Sequence, residues 1–338
     1  MAVKLSICLM EYNRGDIIYK SVKSLLKCGS QEFQIVVRDD ASTDNTIKLL
    51  SSINDTRLKV NINDENVGAP LNWLYSLQDG DGDWLYLSMG RDVLEYDRIP
   101  ILIQELDKLE NQSVGIVRDS HGEQTRVFSY LDGINYFLSF GNHPTGLIYK
   151  REDFLSVNDP ESFFRIPGFI YPEICMIRDI LYKKRGAIIG VGLYQGDHYI
   201  DLRTVKSGIK FEADMFYFAP KARYLEFRTI LRLTEKADGR QLFELNNKEA
   251  DDRFIYLYNQ LLTHVSVAWA DFLCNEELTA HYNIPMRAVS KKELINNLFI
   301  AYITIKKDNI YINLTRNLKM IYWLTRHMIR IIACYKII

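Results

Sequence analysis

Residues 34–46 read Gln34-Ile35-Val36-Val37-Arg38-Asp39-Asp40-Ala41-Ser42-Thr43-Asp44-Asn45-Thr46. The first four form a short apolar, largely β-branched run, the pattern of a buried strand. Arg38, Asp39 and Asp40 stand where that strand ends. Residues 41–44 turn the chain, and Asp44 or Ser42 is placed to cap a helix over 45–50. In an open α/β sheet, ligands bind beyond the carboxyl ends of the strands. Two acidic side chains there can accept hydrogen bonds from a base or a ribose. Strand-end Asp residues also cap and turn chains that bind nothing.

Upstream, residues 4–10 are an apolar run expected as a first buried strand, ended by Glu11-Tyr12-Asn13-Arg14. Residues 16–28 carry Ile17, Ile18, Val22, Leu25 and Leu26 at helical spacing. Downstream, 57–62 reads as a third strand and 63–68 as a polar loop. Residues 69–77 read as a helix containing Asn72 and Trp73. A fourth strand, 84–87, ends in Ser88-Met89-Gly90-Arg91-Asp92. This alternation predicts a parallel, doubly wound sheet. Further on, 99–109 is an amphipathic helix and 114–118 a strand. Residues 119–145, with Gly122, Gly133, Gly141 and Pro144, are read as irregular. A strand at 147–150 comes next, then a helix within 169–185 with Pro172 and Glu173 at its start. A last strand at 187–193 leads into Tyr194-Gln195-Gly196-Asp197-His198-Tyr199.

The chain of 338 residues is long enough for one large domain or two smaller ones. Its hydrophobic fraction of 47% is that of a globular protein. Lys+Arg 42 against Asp+Glu 43 leaves a net charge of -1, no footprint for nucleic acid. The five cysteines, Cys8, Cys28, Cys175, Cys274 and Cys334, are scattered and include no Cys-x-x-Cys pair. That fits a reducing compartment without a disulfide framework or structural zinc. No signal peptide opens the sequence, and no apolar window is long enough to predict a transmembrane helix.

From about residue 213 the character changes to long helical patterns at 224–236, 250–275, 291–305 and 311–334. Over 306–338 the bases are Lys306, Lys307, Arg316, Lys319, Arg326, Arg330 and Lys336, against the single acid Asp308. On a helix at about 100° per residue, Leu314, Leu318, Ile321, Met328 and Ile332 define one face. Arg316, Lys319, Trp323, Arg326 and Arg330 define the other. A basic amphipathic tail with aromatics reads as an interfacial segment on an anionic membrane. The alternative is a helix docked on the protein's own core.

The 36–44 stretch resembles the Val-Asp-Asp-Gly-Ser-Thr-Asp signature of family 2 glycosyltransferases, inverting enzymes with a GT-A fold. Tyr12, Asn13 and Arg14 resemble the Thr-Tyr-Asn-Arg segment that follows strand one in that family, with Glu11 in place of Thr. Asn66, Gly68 and Asn72 resemble its Asn-x-Gly…Asn segment. The resemblance covers roughly residues 4–200. It implies that Tyr12, Asn13, Arg14, Asp39, Asp40, Asn66, Gly68, Asn72, Arg91 and Asp92 face a nucleotide-sugar donor, a UDP-sugar by preference. It implies Glu173 as the general base, and His143, Tyr194 and His198 on the acceptor side. Where the family carries Asp-x-Asp, this chain has Met89 and Arg91, and only Asp92 survives. Either Asp92 holds a Mn²⁺ or Mg²⁺ ion with water and phosphate oxygens, or Arg91 itself neutralises the diphosphate.

The expected fold is therefore α/β: a GT-A domain with a Rossmann-like, mostly parallel sheet over 1–212, then a mainly helical region over 213–338. The expected function is inverting transfer of a sugar to a hydroxyl of a glycan or polyprenyl-linked glycan. By resemblance, this belongs to bacterial surface-polysaccharide synthesis of the capsule or O-antigen kind. It would take place in the cytoplasm on the inner face of the cell membrane. The alternative is a non-catalytic subunit that binds nucleotide sugar or glycan through a degenerate Asp-x-Asp motif.

Overall fold

The structure is a computed structural model that describes residues 2–137, 144–165, 172–198, 203, 218–235, 248–308 and 312–334. His143 lies outside the described residues. The chain divides into two compact units, the first reaching to about residue 199 and the second taking most of the remainder.

The first unit opens with β1 (Leu5–Glu11), α1 (Gly15–Leu25), β2 (Phe33–Asp39), α2 (Thr46–Ser51), β3 (Leu58–Ile62) and α3 (Ala69–Gln78). Then come β4 (Trp84–Met89), β5 (Asp92–Leu94), α4 (Ile99–Asp107), β6 (Val114–Asp119), β7 (Arg126–Val127) and α5 (Tyr130–Phe137). It closes with β8 (Leu147–Lys150), α6 (Arg151–Leu155), α7 (Pro160–Phe164), α8 (Glu173–Leu181), β9 (Arg185–Ile189) and β10 (Tyr194–Asp197). Among the described residues, eight strands form one sheet in the order β3-β2-β1-β4-β8-β6-β9-β7. The pairs β1·β2, β2·β3, β1·β4 and β6·β9 are parallel. β8 runs antiparallel between β4 and β6. The expected mostly parallel sheet is present.

Burial explains the sequence pattern. Leu5, Ile7, Cys8 and Leu9 are all buried, so β1 is covered on both faces and reads as a continuous apolar run. Ile18, Val22 and Leu25 of α1, with Ile99, Leu102, Ile103 and Leu106 of α4, pack into the same core as Ile35 and Val37. Two stretches differ from expectation. Residues 126–137 hold a strand and a helix where irregular chain was expected. Gly133 disguises that helix, and Phe137 packs so close over β9 that a Cβ on Gly186 would meet its ring at 2.5 Å. The strand expected at 187–193 lies at 185–189 as β9, and a separate strand, β10, follows it outside the main sheet and pairs antiparallel with β5.

The second unit is helical among its described residues: α9 (Pro220–Glu235), α10 (Lys248–Thr263), α11 (Trp269–Leu273), α12 (Glu276–His281), α13 (Lys291–Lys307) and α14 (Leu314–Cys334). The helix expected over 250–275 is interrupted by a π-helical turn, His264–Ala268, between α10 and α11. α14 docks on this unit by a face other than the one expected. Met320, Leu324, His327 and Ile331 are buried, and Arg316 is buried in an ion pair with Asp251 at 2.6 Å. Arg316 therefore does not belong to the outer basic face, and Leu314, Leu318, Ile321 and Ile332 point to solvent. A helix wheel gives the faces of a helix but not which one the protein covers. Here a buried acid on α10 decided it.

Candidate functional site

β1 lies between β2 and β4. The chain winds one way through β2 and β3 and then returns to the far side of β1 with β4, so the switch point of the sheet falls between β1 and β4. The register sets Glu11 level with Asp39 and Met10 level with Met89. The carboxyl ends of three strands therefore open onto one crevice.

The loops at this edge are tied together. Asn13 N–H donates to Ser42 Oγ at 2.8 Å, and Asn13 Oδ1 accepts from Thr43 N–H at 2.8 Å. Asp44 accepts from Gly15 N–H at 3.1 Å and from Thr46 N–H at 3.0 Å, so Asp44 rather than Ser42 serves the start of α2. Ala41 has φ +57°, a left-handed conformation that costs a non-glycine residue about 1–2 kcal/mol. The ties around it hold it there. This is the position at which the similar family signature has glycine.

The two strand-end acids have different roles. Asp40 is spent inside the protein. Its Oδ1 accepts from Asn63 Nδ2 at 2.8 Å and Val67 N–H at 2.9 Å, and its Oδ2 from Gly68 N–H at 3.0 Å. Gly68, at φ +87°, lets the chain turn into α3 under that carboxylate. Asn72 is likewise buried and engaged, donating to Arg38 O at 3.0 Å and accepting from Asn63 Nδ2 at 3.0 Å. Asn66 is exposed on the loop that Asp40 holds. Asp39 is different. Its Oδ2 accepts from Ser42 N–H at 2.8 Å, while Oδ1 is buried with no partner. Burial raises its pKa, partly offset by the Ser42 hydrogen bonds. A buried acceptor left without a donor is costly, and a ligand hydroxyl or N–H satisfies it. Tyr12 and Arg14, which follow Glu11 at the end of the neighbouring β1, are both half-buried.

Beyond Met89 the chain makes a tight turn into β5. Asp92 closes it, its Oδ2 accepting from Met89 N–H at 2.7 Å, Ser88 Oγ at 2.8 Å and Thr145 Oγ1 at 2.6 Å. β10 then runs beside β5, and His198 N–H donates to Arg91 O at 2.9 Å. Tyr194 opens β10, and its carbonyl meets His121 Nε2 at 2.8 Å. Arg91, Asp92, Tyr194 and His198 are thus gathered on one two-stranded ribbon. Among the described residues, no group of three His, Cys, Asp or Glu side chains is placed to hold a metal ion. With three donors already on Oδ2, Asp92 has the surroundings of a turn-closing carboxylate. The donor set does not fit a metal centre of the Asp-x-Asp kind.

Glu173 is the first residue of α8 and is buried. Its charge acts on the buried hydroxyl of Tyr149 in β8, which burial chiefly, and Glu173 next, push well above the ordinary phenol range.

Two further acids were not among the expected site residues. Asp119 ends β6, accepting from Tyr86 Oη–H at 2.6 Å and Leu193 N–H at 3.0 Å. Gly146, at φ +84°, makes room for it, since a Cβ there would lie 1.9 Å from Asp119 Oδ1. The signal was the one used for Asp39, an acid ending an apolar strand, hidden by closing that strand one residue early. Glu11 ends β1 at the switch point and is 1% exposed. One oxygen accepts from Tyr12 N–H at 2.8 Å and faces Arg14 at 3.5 Å, while Oε2 lies against Gly90 without a partner.

Burial pushes the Glu11 carboxyl up to about 7 against the pull of Arg14. The folded chain therefore keeps a proton that the unfolded chain releases near the ordinary 4.5. The resulting stabilisation is complete below that value and is lost as pH rises through about 7. Burial pushes Glu226 in the second unit to about 7 as well, with the same sign. Burial holds His264 and His327 down at about 4, which acts in the opposite sense below their ordinary 6.5. We therefore expect the Glu11 part to show as a difference: Glu11→Gln, which cannot ionise, loses less stability than the native chain between about pH 5 and about pH 8. Unfolding temperatures at the two pH values check this. An unchanged slope in Glu11→Gln would remove Glu11 as a cause.

The mostly parallel sheet and the helical region that follows it are those of a GT-A-like fold. Residues 6–170 match the model of glycosyl transferase family 2. Among solved structures, the chain is similar to TarS of S. aureus, at 16% identity over 95% of this chain and with a TM-score of 0.55. It spans 55% of that TarS chain. It also resembles TarS 1-349, at 14% identity, TM-score 0.50, covering 90% of this chain and 92% of the other. The same TarS piece in complex with UDP matches at 15% identity, TM-score 0.50, with the same coverage. At these identities the likeness is one of fold.

Proposed function

We propose that the protein is an inverting transferase that moves a sugar from a nucleotide-sugar donor, a UDP-sugar by preference, to a hydroxyl of a glycan or polyprenyl-linked glycan. The observation that carries this reading is Asp39 Oδ1, a buried acceptor without a partner at the edge where the ligands of such sheets bind. It suits a base N–H or a ribose hydroxyl, and Tyr12, just past the neighbouring β1, offers a ring for stacking. Asp40, Gly68 and Asn72 act one step back, holding the loop that carries Asn66. Asn13 and Arg14 shape the β1 side.

In the reaction we infer, Glu173 takes the proton of the acceptor hydroxyl, and the oxygen attacks the anomeric carbon. The bond from that carbon to the diphosphate breaks, and the nucleoside diphosphate leaves with its electron pair. Arg91 meets the charge that develops on the diphosphate through paired N–H donors. Tyr194 and His198, on the ribbon that carries Arg91, serve the acceptor side. The likeness to TarS in complex with UDP and the family 2 match support the donor class. The setting we propose is surface-polysaccharide synthesis in the cytoplasm, at the inner face of the membrane. Support for it is the basic, apolar character of α14.

Because the residues around Asp92 do not fit a metal, we expect transfer to survive EDTA, and Arg91→Ala to weaken donor binding by about 10–100-fold, as for loss of a charge-assisted hydrogen-bond pair. Activity abolished by EDTA, restored by Mn²⁺ and indifferent to Arg91→Ala would contradict this assignment. A second reading, a non-catalytic nucleotide-sugar or glycan-binding subunit, draws on the same Met89 and Arg91 replacements. Release of nucleoside diphosphate from the donor separates the two.

A further inference from the structure

α14 has two apolar faces, and the protein covers only one. Met320, Leu324 and Ile331 are buried on the docked side. On the opposite side Leu314, Leu318, Ile321, Tyr322, Ile329 and Ile332 are between 41% and 74% exposed. At about 100° per residue these six fall within a stripe about 100° wide, with Thr325 as the one polar residue inside it. An apolar stripe of this length on a 21-residue helix is a docking surface rather than scattered exposure. α13 runs alongside, Tyr302 Oη–H donating to Asn317 Oδ1 at 3.2 Å and Lys291 Nζ to Ile332 O at 2.9 Å. It exposes Phe299, Ile300 and Ile303, with Lys306 and Lys307 at its end.

The charge beside the stripe identifies the occupant. Lys319, Arg326 and Arg330 follow one edge of it. Lys319 is 2.9 Å from Asp252, and Arg326 stacks over Trp323 with its guanidinium 5.2 Å from the ring. From residue 294 to 334 the single acid is Asp308, which already faces Arg228 at 3.3 Å and Tyr224. A second copy laid on the same stripe would bring the two rows of cations together, with Asp252 already paired to Lys319 as the acid beside each row. An anionic bilayer offers the stripe an acyl boundary and the cations a layer of phosphates. Among the described residues no helix is long and apolar enough to cross a membrane, so a bilayer would be met in its interface plane.

We propose that α14 lies flat on an anionic lipid surface, with Leu314, Leu318, Ile321, Tyr322, Ile329 and Ile332 in the headgroup–acyl boundary and Lys319, Arg326 and Arg330 on the phosphates. This deepens the membrane setting given above and rests on it for its purpose alone, since vesicle binding requires no donor and no turnover. Removing α14 is not a clean test, because its docked face and the Arg316–Asp251 pair belong to the second unit's core.

Point changes on the outer face are the test. The full chain is sedimented with vesicles of phosphatidylglycerol and phosphatidylcholine, and with phosphatidylcholine alone. We expect binding to the anionic vesicles that weakens with salt, by about fivefold for each of Lys319, Arg326 and Arg330 changed to Gln. Leu318→Glu with Ile329→Glu should abolish it, at an unchanged unfolding temperature, because both sites are more than half exposed. Equal binding by this double variant overturns the proposal, as does a native chain that leaves the vesicles in the supernatant. A native dimer that the double variant turns into a monomer, with neither binding lipid, assigns the stripe to a second copy instead.

Discussion

We expect Glu173→Gln to lower the rate of the proposed sugar transfer by about 10²–10⁴-fold, the usual loss on removing a general base, and to leave donor affinity unchanged. The substitution keeps the size and shape of a side chain that is 4% exposed at the start of α8, and removes only its ability to take a proton. An acid at a helix N-terminus is also favoured by the helix dipole, so stability alone cannot decide its role. The division between turnover and binding can. A purely structural Glu173 would lower stability and leave transfer by the folded fraction near normal. Near-normal turnover would remove Glu173 as the base, and Asp119, at the end of β6, would become the next carboxylate to test.

We expect Asp39→Ala to weaken binding of the nucleotide by about 1–3 kcal/mol, roughly 5–150-fold, the loss expected when a buried hydrogen-bond acceptor is removed from a ligand. Stability should fall somewhat, because the substitution also removes Oδ2, which accepts from Ser42 N–H at 2.8 Å, so affinity is read on the folded variant. Titration of UDP into the folded variant measures the effect. Unchanged affinity would take Asp39 out of the site. Asp40 cannot stand in as a control, because it holds Asn63, Val67 and Gly68 and its loss would undo the loop before any ligand was tested.

The first half of the fold was legible because β1, β2 and β4 are buried on both faces and α1 and α4 on one, so period separates them. Residues 34–46 gave a strand, a turn and a helix in the order found, with each boundary within two residues. What period could not give was partnership. Asp39 and Asp40 are adjacent and identical in type, yet one is saturated and the other open, and only the fold of 63–68 decides which. Asp92 read as a surviving metal ligand because its neighbours in space, Ser88 and Thr145, are not its neighbours in a motif. Glu11 read as a departure from a pattern, while its burial at the switch point depends on β4 lying beside β1. In α14 the wheel found a true apolar face, but Asp251, 65 residues before Arg316, placed the other face inward.

The central claim is that the crevice at the ends of β1, β2 and β4 binds and cleaves a nucleotide sugar. The most direct measurement is release of UDP from a panel of UDP-sugars by the full chain without acceptor, with Asp39→Ala run in parallel. The expected result is slow, saturable release with one or a few donors, lost in Asp39→Ala at donor concentrations that saturate the native chain. Neither release nor binding with any nucleotide sugar, by a chain shown to be folded, would contradict it.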